Sequence, residues 1–428
     1  MNVEVWYSII STPIKKIERS DSILRHLSFV LHQSSNHSTD QKGGSKMKFT
    51  KLLLVTVLVL LFAVGASGAD TIKIGLMAPL TGFAAADGAS VHNSVKLAVE
   101  RVNSEGGILG KKVELISYDD RADGKEAVAV ARKLIQQDQV VGVVAGSYST
   151  PSRASAPIFQ DEEVPLVAAY AVHPDITKAG DFCFRNGFLG MVEGKSAGYV
   201  AVEMLKAKRI ALLTSDNDFG RTLETGFEMY LSDRAEGAEI VYAQTYPMKE
   251  KDFKPYLSKI KEVAPDLIFA SGYYFQTAPI IKQAREMDIT TQILGKEGTD
   301  SPKTLEIAGN SAEGFIIVTN LNRDDPRPEV QTFLKEYETR YKIQPDMVGA
   351  SAYDAFMIIC DAIKRAGSTE GKAIRDAIAD TKEYNALTGQ IKGFNDIGEV
   401  VKEVQVQIVK EGRFRHFGVV TDMNLITP

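Results

Sequence analysis

Three short stretches of the sequence combine small residues with hydroxyl or carboxyl groups directly after apolar runs. They are Ser147-Tyr148-Ser149-Thr150, Gly272-Tyr273-Tyr274 and Lys296-Glu297-Gly298. Small residues let backbone N–H groups approach a ligand, and hydroxyl groups at the start of a helix favour an anion such as a carboxylate. The Glu297 carboxylate is of the type that pairs with an ammonium group. The residue types therefore predict a ligand-binding site at these turns, with donors that suit an anion and one carboxylate that could pair with an ammonium group.

Residues that could carry out catalysis are sparse. The histidines after residue 69 are His92, His173 and His416, which lie far apart, and the chain has no G-x-S-x-G or H-E-x-x-H motif. Asp119 and Asp120 are adjacent on a predicted strand, so their side chains point to opposite faces, which favours turn and capping roles over acid–base chemistry. The sequence predicts a protein that is not an enzyme and that uses no metal or cofactor.

The segment 47–69 has the three parts of a secretory signal peptide: lysines in front, an apolar run from Leu52 to Val64, and small residues up to Ala69. The run is shorter than the ~20 residues that span a bilayer, which favours a cleaved signal over a membrane anchor. No cysteine follows it, so we expect no lipid anchor. Residues 1–46 show no lasting apolar period and are interpreted as a mis-assigned start, with translation from Met47, or as a disordered extension.

The remaining chain, Asp70 to Pro428, has 428 − 69 = 359 residues, a length that favours two lobes. Removing residues 1–69 takes away eight basic and four acidic residues, which leaves 42 Lys and Arg against 51 Asp and Glu and a net charge of −9. This balance argues against nucleic acid or an anionic membrane as a partner. Cys183 and Cys360 lie among apolar residues and are interpreted as buried free thiols, with a single disulfide left open.

Short apolar runs alternate with helical windows along this region, which is the pattern of βα units and a mostly parallel sheet. The runs form two sets: TIKIGLMA, KKVELISYDD, VVGVVAG, PLVAAY and FCFRNG, then RIALLTSD, EIVYAQTYP, DLIFASGYY, QILG and GFIIVTN. Helical windows near Pro328–Tyr341 and Val348–Ala366 precede the strand-like VQVQIVKEGRFRHFGVV. We predict an α/β fold of two Rossmann-like lobes with parallel sheets. The lack of a low-complexity linker predicts a hinge that the chain crosses several times.

An ordered series of stretches resembles the type I periplasmic binding proteins, specifically the leucine/isoleucine/valine-binding subgroup that delivers amino acids to ABC transporters. The similar stretches are IKIGLMAPLTG, AVERVNSEGGILGKKVELISYDD, VAGSYSTPSRASAP, FRNG, SDNDFGRTL, FASGYYFQTAPIIKQARE, ILGKEG and SAYDA. They are spread over nearly the whole region after residue 70. NSEGGILGKKVELISYDD is especially specific.

The resemblance implies two lobes that hinge over a ligand. We expect the first lobe to comprise residues 70–188 and 322–388, and the second lobe residues 189–321 and 389–428. The resemblance also implies a monomer located in the periplasm, with a permease of an ABC transporter in the inner membrane as partner. The ligand class would be branched-chain or other apolar amino acids.

In that family the first lobe holds the ligand's carboxylate with backbone amides and hydroxyls, and a Glu of the second lobe shares the ammonium. By resemblance, Ser149 and Thr150 fall in the carboxylate-binding turn and Glu297 matches the acidic contact. The remaining residues that the resemblance places in the ligand-binding site are Tyr148, Tyr170, Ala171, Val172, Phe219 and Tyr273.

Two positions depart from the leucine-binding relatives, which have a Thr hydroxyl where this chain has Val172 and an aromatic residue where it has Asp87. Losing one partner to a buried charged group typically costs ~1 to 3 kcal/mol, enough to change which ligand binds best. Asp87 fits two roles, a contact to a cationic group of a different ligand or a cap on a helix that begins near Ser90, and the residues alone favour the cap. Amides, carboxylic acids and aromatic acids therefore stay open as ligands, as does a soluble ligand-sensing role.

Overall fold

The computed structural model describes residues 71–234 and 236–428. The predictions for the segments 1–46 and 47–69 therefore lie outside the described residues. Among the described residues, no helix is both long and apolar enough to cross a membrane.

The first lobe is built on a five-stranded parallel sheet. Its strands stand in the order β2-β1-β3-β4-β5. Apolar residues cover both faces of this sheet, as expected for parallel strands that helices flank on two sides. The strands are β1 (Ile72–Ala78), β2 (Val113–Asp119), β3 (Val143–Ala145), β4 (Leu166–Ala168) and β5 (Cys183–Arg185).

The second lobe repeats the same arrangement. Its parallel strands stand in the order β7-β6-β8-β9-β10, and an antiparallel pair, β14 and β15, extends the sheet to seven strands. The two sheets therefore share one topology, with the order reversing beside the first strand of each set. The strands are β6 (Arg209–Ser215), β7 (Glu239–Tyr246), β8 (Leu267–Ser271), β9 (Gln292–Gly295), β10 (Ile316–Thr319), β14 (Val404–Lys410) and β15 (Arg413–Val420).

The helices fall in the predicted windows between strands. In α1, five residues recur at the spacing of one helix face: Val91, Val95, Ala98 and Val102 are buried, and Val99 is partly buried. The helices are α1 (Ala85–Ser104), α2 (Gly124–Lys133), α3 (Ser149–Asp161), α4 (Gly190–Tyr199), α5 (Asp218–Arg234), α6 (Lys254–Val263), α7 (Tyr274–Glu286), α8 (Pro302–Ala308), α9 (Pro328–Tyr341), α10 (Met347–Ala366), α11 (Gly371–Ala379) and α12 (Met423–Ile426).

A small antiparallel sheet, which the sequence did not predict, lies beside the first lobe. It consists of β11 (Lys382–Ala386), β12 (Gly389–Phe394) and β13 (Val400–Val401). Our expected boundary placed residues from 389 onward in the second lobe. Ile391 and Val400 instead pack in the core of the first lobe, so the chain stays with that lobe up to Val401.

The chain crosses between the lobes after β5, after β10 and after β13, which agrees with the predicted hinge of several crossings. Two of these crossings are tied to one residue of α10. The Asn186 side chain donates to the Ser351 carbonyl at 3.0 Å, and the Asn320 side chain donates to the Ser351 hydroxyl at 3.0 Å. Both asparagines are buried, so these bonds hold the hinge segments without competition from water.

The prediction of an α/β fold with two lobes of parallel strands is confirmed. The cysteines are also as predicted from their apolar neighbours, because Cys183 and Cys360 are both buried and free. Asp119 serves a turn, since its carboxylate accepts from the backbone N–H groups of Leu80 and Arg121 at 2.9 Å each.

A buried ion pair fastens the third sheet to the first lobe. Arg185 Nε lies 2.8 Å from Glu399 Oε2, and both side chains are almost completely buried. The guanidinium also donates to the carbonyls of Ala171 and His173, which follow β4. The backbones approach closely here, because a Cβ on Gly398 would lie 2.5 Å from the Cys183 carbonyl oxygen.

We predict that Glu399→Ala lowers the free energy of unfolding by about 3 to 5 kcal/mol, because it leaves the Arg185 charge buried and unpaired. Urea denaturation followed by circular dichroism measures this change. Glu239→Ala is the matched control, since its pair with Arg209 is exposed, and it should cost at most about 1 kcal/mol. Equal losses in the two variants would contradict the structural role of Glu399.

Candidate functional site

A narrow cleft lies where the carboxyl ends of the two parallel sheets face each other. In open α/β sheets this edge is where ligands bind. The cavity inside the cleft is small, about 10 Å³, which is roughly enough for one water molecule. The side chains of both lobes therefore touch across it. The lining residues are Asp87, Tyr148, Ser149, Tyr170, Ala171, Phe219, Tyr273, Glu297, Gly298, Met347 and Val348.

Aromatic rings from the two lobes stack across the cleft. Tyr148 of the first lobe stacks on Tyr273 of the second with ring centroids 4.4 Å apart. Tyr273 stacks in turn on Phe219 at 4.7 Å, and the Tyr170 ring meets Tyr148 edge-on at 6.3 Å. Each residue follows a strand of its sheet, which explains how positions so distant in sequence form one wall. These rings supply apolar contact area with few rotatable bonds.

The N-terminus of α3 provides backbone and hydroxyl donors at the cleft. Tyr148 precedes the helix without capping it, and Ser149 is the first helical residue. Ser149 Oγ accepts a hydrogen bond from the Val172 N–H at 3.2 Å, which leaves its own O–H as a donor. Free N–H groups at a helix start carry partial positive charge. This end of the cleft suits a carboxylate.

Asp87 places a buried carboxyl in the cleft. It is only 3% exposed, and its Oδ2 accepts a hydrogen bond from the Tyr148 hydroxyl at 2.7 Å. The pKa of Asp87 is raised to about 8, chiefly by burial and also by the nearby Asp346 carboxylate, while the Tyr148 hydrogen bond acts in the opposite direction. The prediction that Asp87 caps a helix is wrong, because α1 begins at Ala85 and Asp87 bonds to Tyr148 instead.

Glu297 places a second buried carboxyl in the cleft, directly after β9. It is 1% exposed, and its Oε2 has no hydrogen-bond partner among the described residues. Burial raises the pKa of Glu297 well above its ordinary value, and the neighbouring Glu193 raises it further. An ammonium group on a ligand would remove this desolvation cost.

A buried charged pair lies behind Glu297. Lys296 Nζ lies 3.0 Å from Glu193 Oε1 without hydrogen-bond geometry, and the Glu297 N–H donates to the same oxygen at 3.1 Å. Burial raises the pKa of Glu193 and lowers the pKa of Lys296. From the sequence, Lys296 stands out only as a neighbour of Glu297. Glu193 was not predicted, because it comes from α4, far away in sequence.

Most of the residues expected at the site line the cleft, but Thr150 and Val172 do not. Thr150 is exposed, and its hydroxyl donates to Asp218 of the second lobe at 3.1 Å. Val172 contributes a backbone contact, since its N–H donates to Ser149 Oγ. Met347 and Val348 were missed as lining residues. Their position at the start of the predicted helical window near 348 is the signal that could have found them.

The chemistry of the cleft is that of a hydrogen-bond acceptor site next to a helix N-terminus. It contains two carboxyl groups and three tyrosines, and none of its described lining residues is Lys, Arg or His. No group of His, Cys, Asp and Glu suited to a metal occurs among residues 71–234 and 236–428. A small ligand with a cationic donor fits these groups better than a plain anion.

The family model for periplasmic binding proteins matches residues 71–413. The chain belongs to this family. Among curated relatives of this periplasmic binding protein, the leucine-, isoleucine-, valine-, threonine- and alanine-binding protein of Pseudomonas aeruginosa is 28% identical over 340 residues, which is 79% of this chain and 90% of the relative. The Leu/Ile/Val-binding protein of Escherichia coli K12 is 30% identical over 275 residues, 64% of this chain and 74% of the relative.

Solved structures give the same assignment for this periplasmic binding protein. A leucine-binding protein from Thermotoga maritima has a TM-score of 0.76 at 29% identity and covers 83% of this chain and 100% of its own. A branched-chain amino acid substrate-binding protein from Streptococcus pneumoniae, in complex with isoleucine, has a TM-score of 0.77 at 28% identity and covers 82% and 99%. A Rhodopseudomonas palustris protein in complex with 3,4-dihydroxybenzoic acid shares the fold. It is 24% identical with a TM-score of 0.76, and the match covers 82% of this chain and 97% of that protein.

We predict that Asp87→Asn gains stability relative to the unchanged protein as the pH rises. Because the pKa of Asp87 is raised in the fold, its contribution is fully present below about pH 4 and is lost as the pH rises towards 8. The stability difference between variant and parent should therefore be more than about 1 kcal/mol larger at pH 8 than at pH 5 in urea denaturation without ligand.

The half-exposed Asp361, which pairs with Arg365 on α10, offers the control, since Asp361→Asn should show little change in that difference between the two pH values. Asp120 and Asp346, whose pKa values are raised to about 6 by burial, titrate in parent and variant alike and cancel. A difference for Asp87→Asn that stays constant from pH 5 to pH 8 would show that Asp87 is not desolvated in the fold.

Proposed function

We propose that this protein is the solute-binding component of an ABC importer, which captures a small amino acid between its lobes and delivers it to a permease. The observation that carries the proposal is the buried, unpartnered Glu297 Oε2 in the same cleft as the N-terminus of α3. The Glu297 carboxylate would receive the ligand's ammonium group. The Ser149 hydroxyl and nearby backbone N–H groups would hold its carboxylate.

These groups are sufficient for useful affinity. A charge-assisted hydrogen bond contributes ~1.5 to 3 kcal/mol, and micromolar binding needs about −8 kcal/mol net. Three or four such bonds, together with ligand atoms packed on Tyr148, Phe219 and Tyr273, would reach that value after the cost of ordering the ligand. The rings must separate to admit the ligand, because they are in contact in the closed cleft.

Delivery requires a partner that favours the open form. A permease in the inner membrane would dock on the tips of both lobes, so that its affinity depends on hinge closure. This role fits the export segment predicted at 47–69, a periplasmic location and a monomer. Branched-chain or other apolar amino acids are the expected ligands, in keeping with the ligands that the names of the relatives give.

A different ligand class is the second candidate, and the aromatic stack is the observation that favours it. An aromatic acid would fill the space between the rings. Its only charge, however, would be negative, and none of the described lining residues is basic, so the carboxylate would lack a charged partner. The ammonium group of a zwitterion, or the N–H groups of a neutral amide, can instead donate to the Asp87 and Glu297 carboxyls, whether the protein serves transport or sensing.

We predict that Glu297→Gln weakens amino-acid binding by roughly 10- to 150-fold, because a neutral amide replaces the charged partner of the ammonium group. Isothermal titration calorimetry measures the dissociation constant, and it suits this chain because its one tryptophan, Trp6, precedes the predicted cleavage site. Glu306→Gln, an exposed glutamate of the same lobe, should leave the dissociation constant unchanged. Unaltered affinity in Glu297→Gln would refute the proposed role of Glu297.

A contact between the lobes should stabilise the closed form of the protein. Asp218 of α5 accepts from the Thr150 hydroxyl at 3.1 Å and lies 3.2 Å from the Arg153 guanidinium, both in α3. We predict that Asp218→Asn raises the dissociation constant up to about fivefold and speeds ligand release, with a smaller effect at high salt, because the pair is partly exposed.

Stopped-flow release at low and high ionic strength measures this effect. Asp216→Asn is the matched control, since Asp216 pairs with Arg221 inside the second lobe and should not alter release. Similar release rates in the two variants would mean that the Asp218 contact does not contribute to closure.

A further inference from the structure

The cleft contains one acceptor group that the proposed amino-acid binding does not use. Glu297 and the N-terminus of α3 account for the ammonium and carboxylate groups of a ligand. Asp87 belongs to the first lobe and lies on α1, so it enters the cleft from a different element than either of these. Its position is therefore available to the part of the ligand that varies between amino acids, the side chain.

The hydrogen bonding of Asp87 leaves one oxygen free for a ligand. Oδ2 accepts from the Tyr148 hydroxyl at 2.7 Å, and Oδ1 has no hydrogen-bond partner among the described residues. The Tyr148 hydroxyl is committed to Asp87, so it is not itself available to donate to a ligand. Asp87 lines the cleft and is 97% removed from solvent, so a donor on a ligand that meets this carboxyl would stabilise it.

The surroundings of Asp87 specify what kind of donor fits. Met347 and Val348, at the start of α10, line the same cleft and offer apolar contact. Tyr273 lines the same cleft from the second lobe and stacks on the ring of Tyr148, whose hydroxyl bonds to Asp87. A side chain that reaches this corner meets apolar surface together with one acceptor.

We propose that Asp87 is a specificity-determining residue, which accepts a hydrogen bond from a hydroxyl or amide group on a small amino-acid side chain. The preferred ligands are then amino acids whose side chain combines a donor with a short apolar part. This inference rests on the proposed amino-acid binding and changes the preferred ligands from apolar amino acids to donor-bearing ones, since branched-chain side chains of equal size lack the donor. A pocket that hydrogen-bonds a ligand hydroxyl or amide discriminates strongly against the analogue without it.

The test compares amino acids of nearly equal shape by calorimetric titration. Threonine is compared with valine, and asparagine with leucine, on the unchanged protein. We expect the donor-bearing member of at least one pair to bind at least about tenfold more tightly. This measurement needs no variant, so a folding defect cannot affect it.

Variants then assign the preference to Asp87. Asp87→Leu should abolish or invert the ratio within that pair, and Asp87→Asn, which keeps an acceptor oxygen, should retain part of it. Asp354→Asn is the matched control, because Asp354 is also a buried carboxyl of the first lobe but accepts from Leu387 and Thr388 and does not line the cleft. It should keep the ratio of the unchanged protein.

Three results would overturn the inference, and they are distinguishable. Valine and leucine binding as tightly as threonine and asparagine would remove the donor preference while leaving amino-acid binding intact. A preference that persists in Asp87→Leu would assign it to another residue. If none of the four amino acids binds in the millimolar range or tighter, the proposed function fails, and this inference fails with it.

Discussion

The structure depends on one constraint, the meeting of two parallel sheets at their carboxyl ends. Parallel strands finish at a common edge, so each sheet presents its strand-end loops and helix N-termini on one side. When the lobes close, these two edges bury each other. Polar groups that would be solvated on a single lobe, such as Asp87 and Glu297, then lose their water and need a donor. The presence of a ligand-binding site at this edge is thus a consequence of the topology, and the residue types at the edge determine which ligand binds.

Positive charge surrounds the cleft without lining it. Lys296, Lys402 and Arg185 are fully buried, and each lowers the pKa of Glu297, although burial and Glu193 prevail and keep that pKa raised. Each of these cations has its own local partner: Lys296 lies beside Glu193, Arg185 pairs with Glu399, and Lys402 donates to Thr388 at 2.8 Å. The cations stabilise the region behind Glu297, and the face toward the ligand stays free of basic groups. This separation lets a buried carboxylate remain available to an ammonium group.

Much of the fold followed from the sequence because parallel strands that are buried on both faces have a distinct pattern. Runs such as DLIFAS and GFIIVTN are continuous and apolar, and the helices between them show a clear 3.6-residue period. The small third sheet was missed because β11 has exposed, charged residues and β13 is only two residues long. The lobe boundary moved for the same reason, since Ile391 and Val400 join a core that only the folded chain creates.

The site was predictable to the extent that strand ends reveal it. Tyr148, Tyr273 and Glu297 follow strands directly, and the structure places all three in the cleft. Glu193 could not be found because an acidic residue in the first turn of a helix such as α4 is common, and its role depends on contact with the distant Lys296. Asp87 was assigned to a cap because helix starts and ligand contacts favour the same residue types. The start of α1 at Ala85 and the Tyr148 hydrogen bond exclude the cap.

The most direct test of amino-acid capture by this cleft changes the ligand and leaves the protein intact. The amino acid that binds most tightly in calorimetry would be compared with its N-acetyl derivative and its primary amide. N-acetylation removes the ammonium group that would meet Glu297, and the primary amide removes the carboxylate that would lie at the start of α3. We predict that each change weakens binding by at least about tenfold. If the N-acetyl derivative binds as tightly as the parent amino acid, Glu297 does not receive an ammonium group, and the account of the cleft is contradicted.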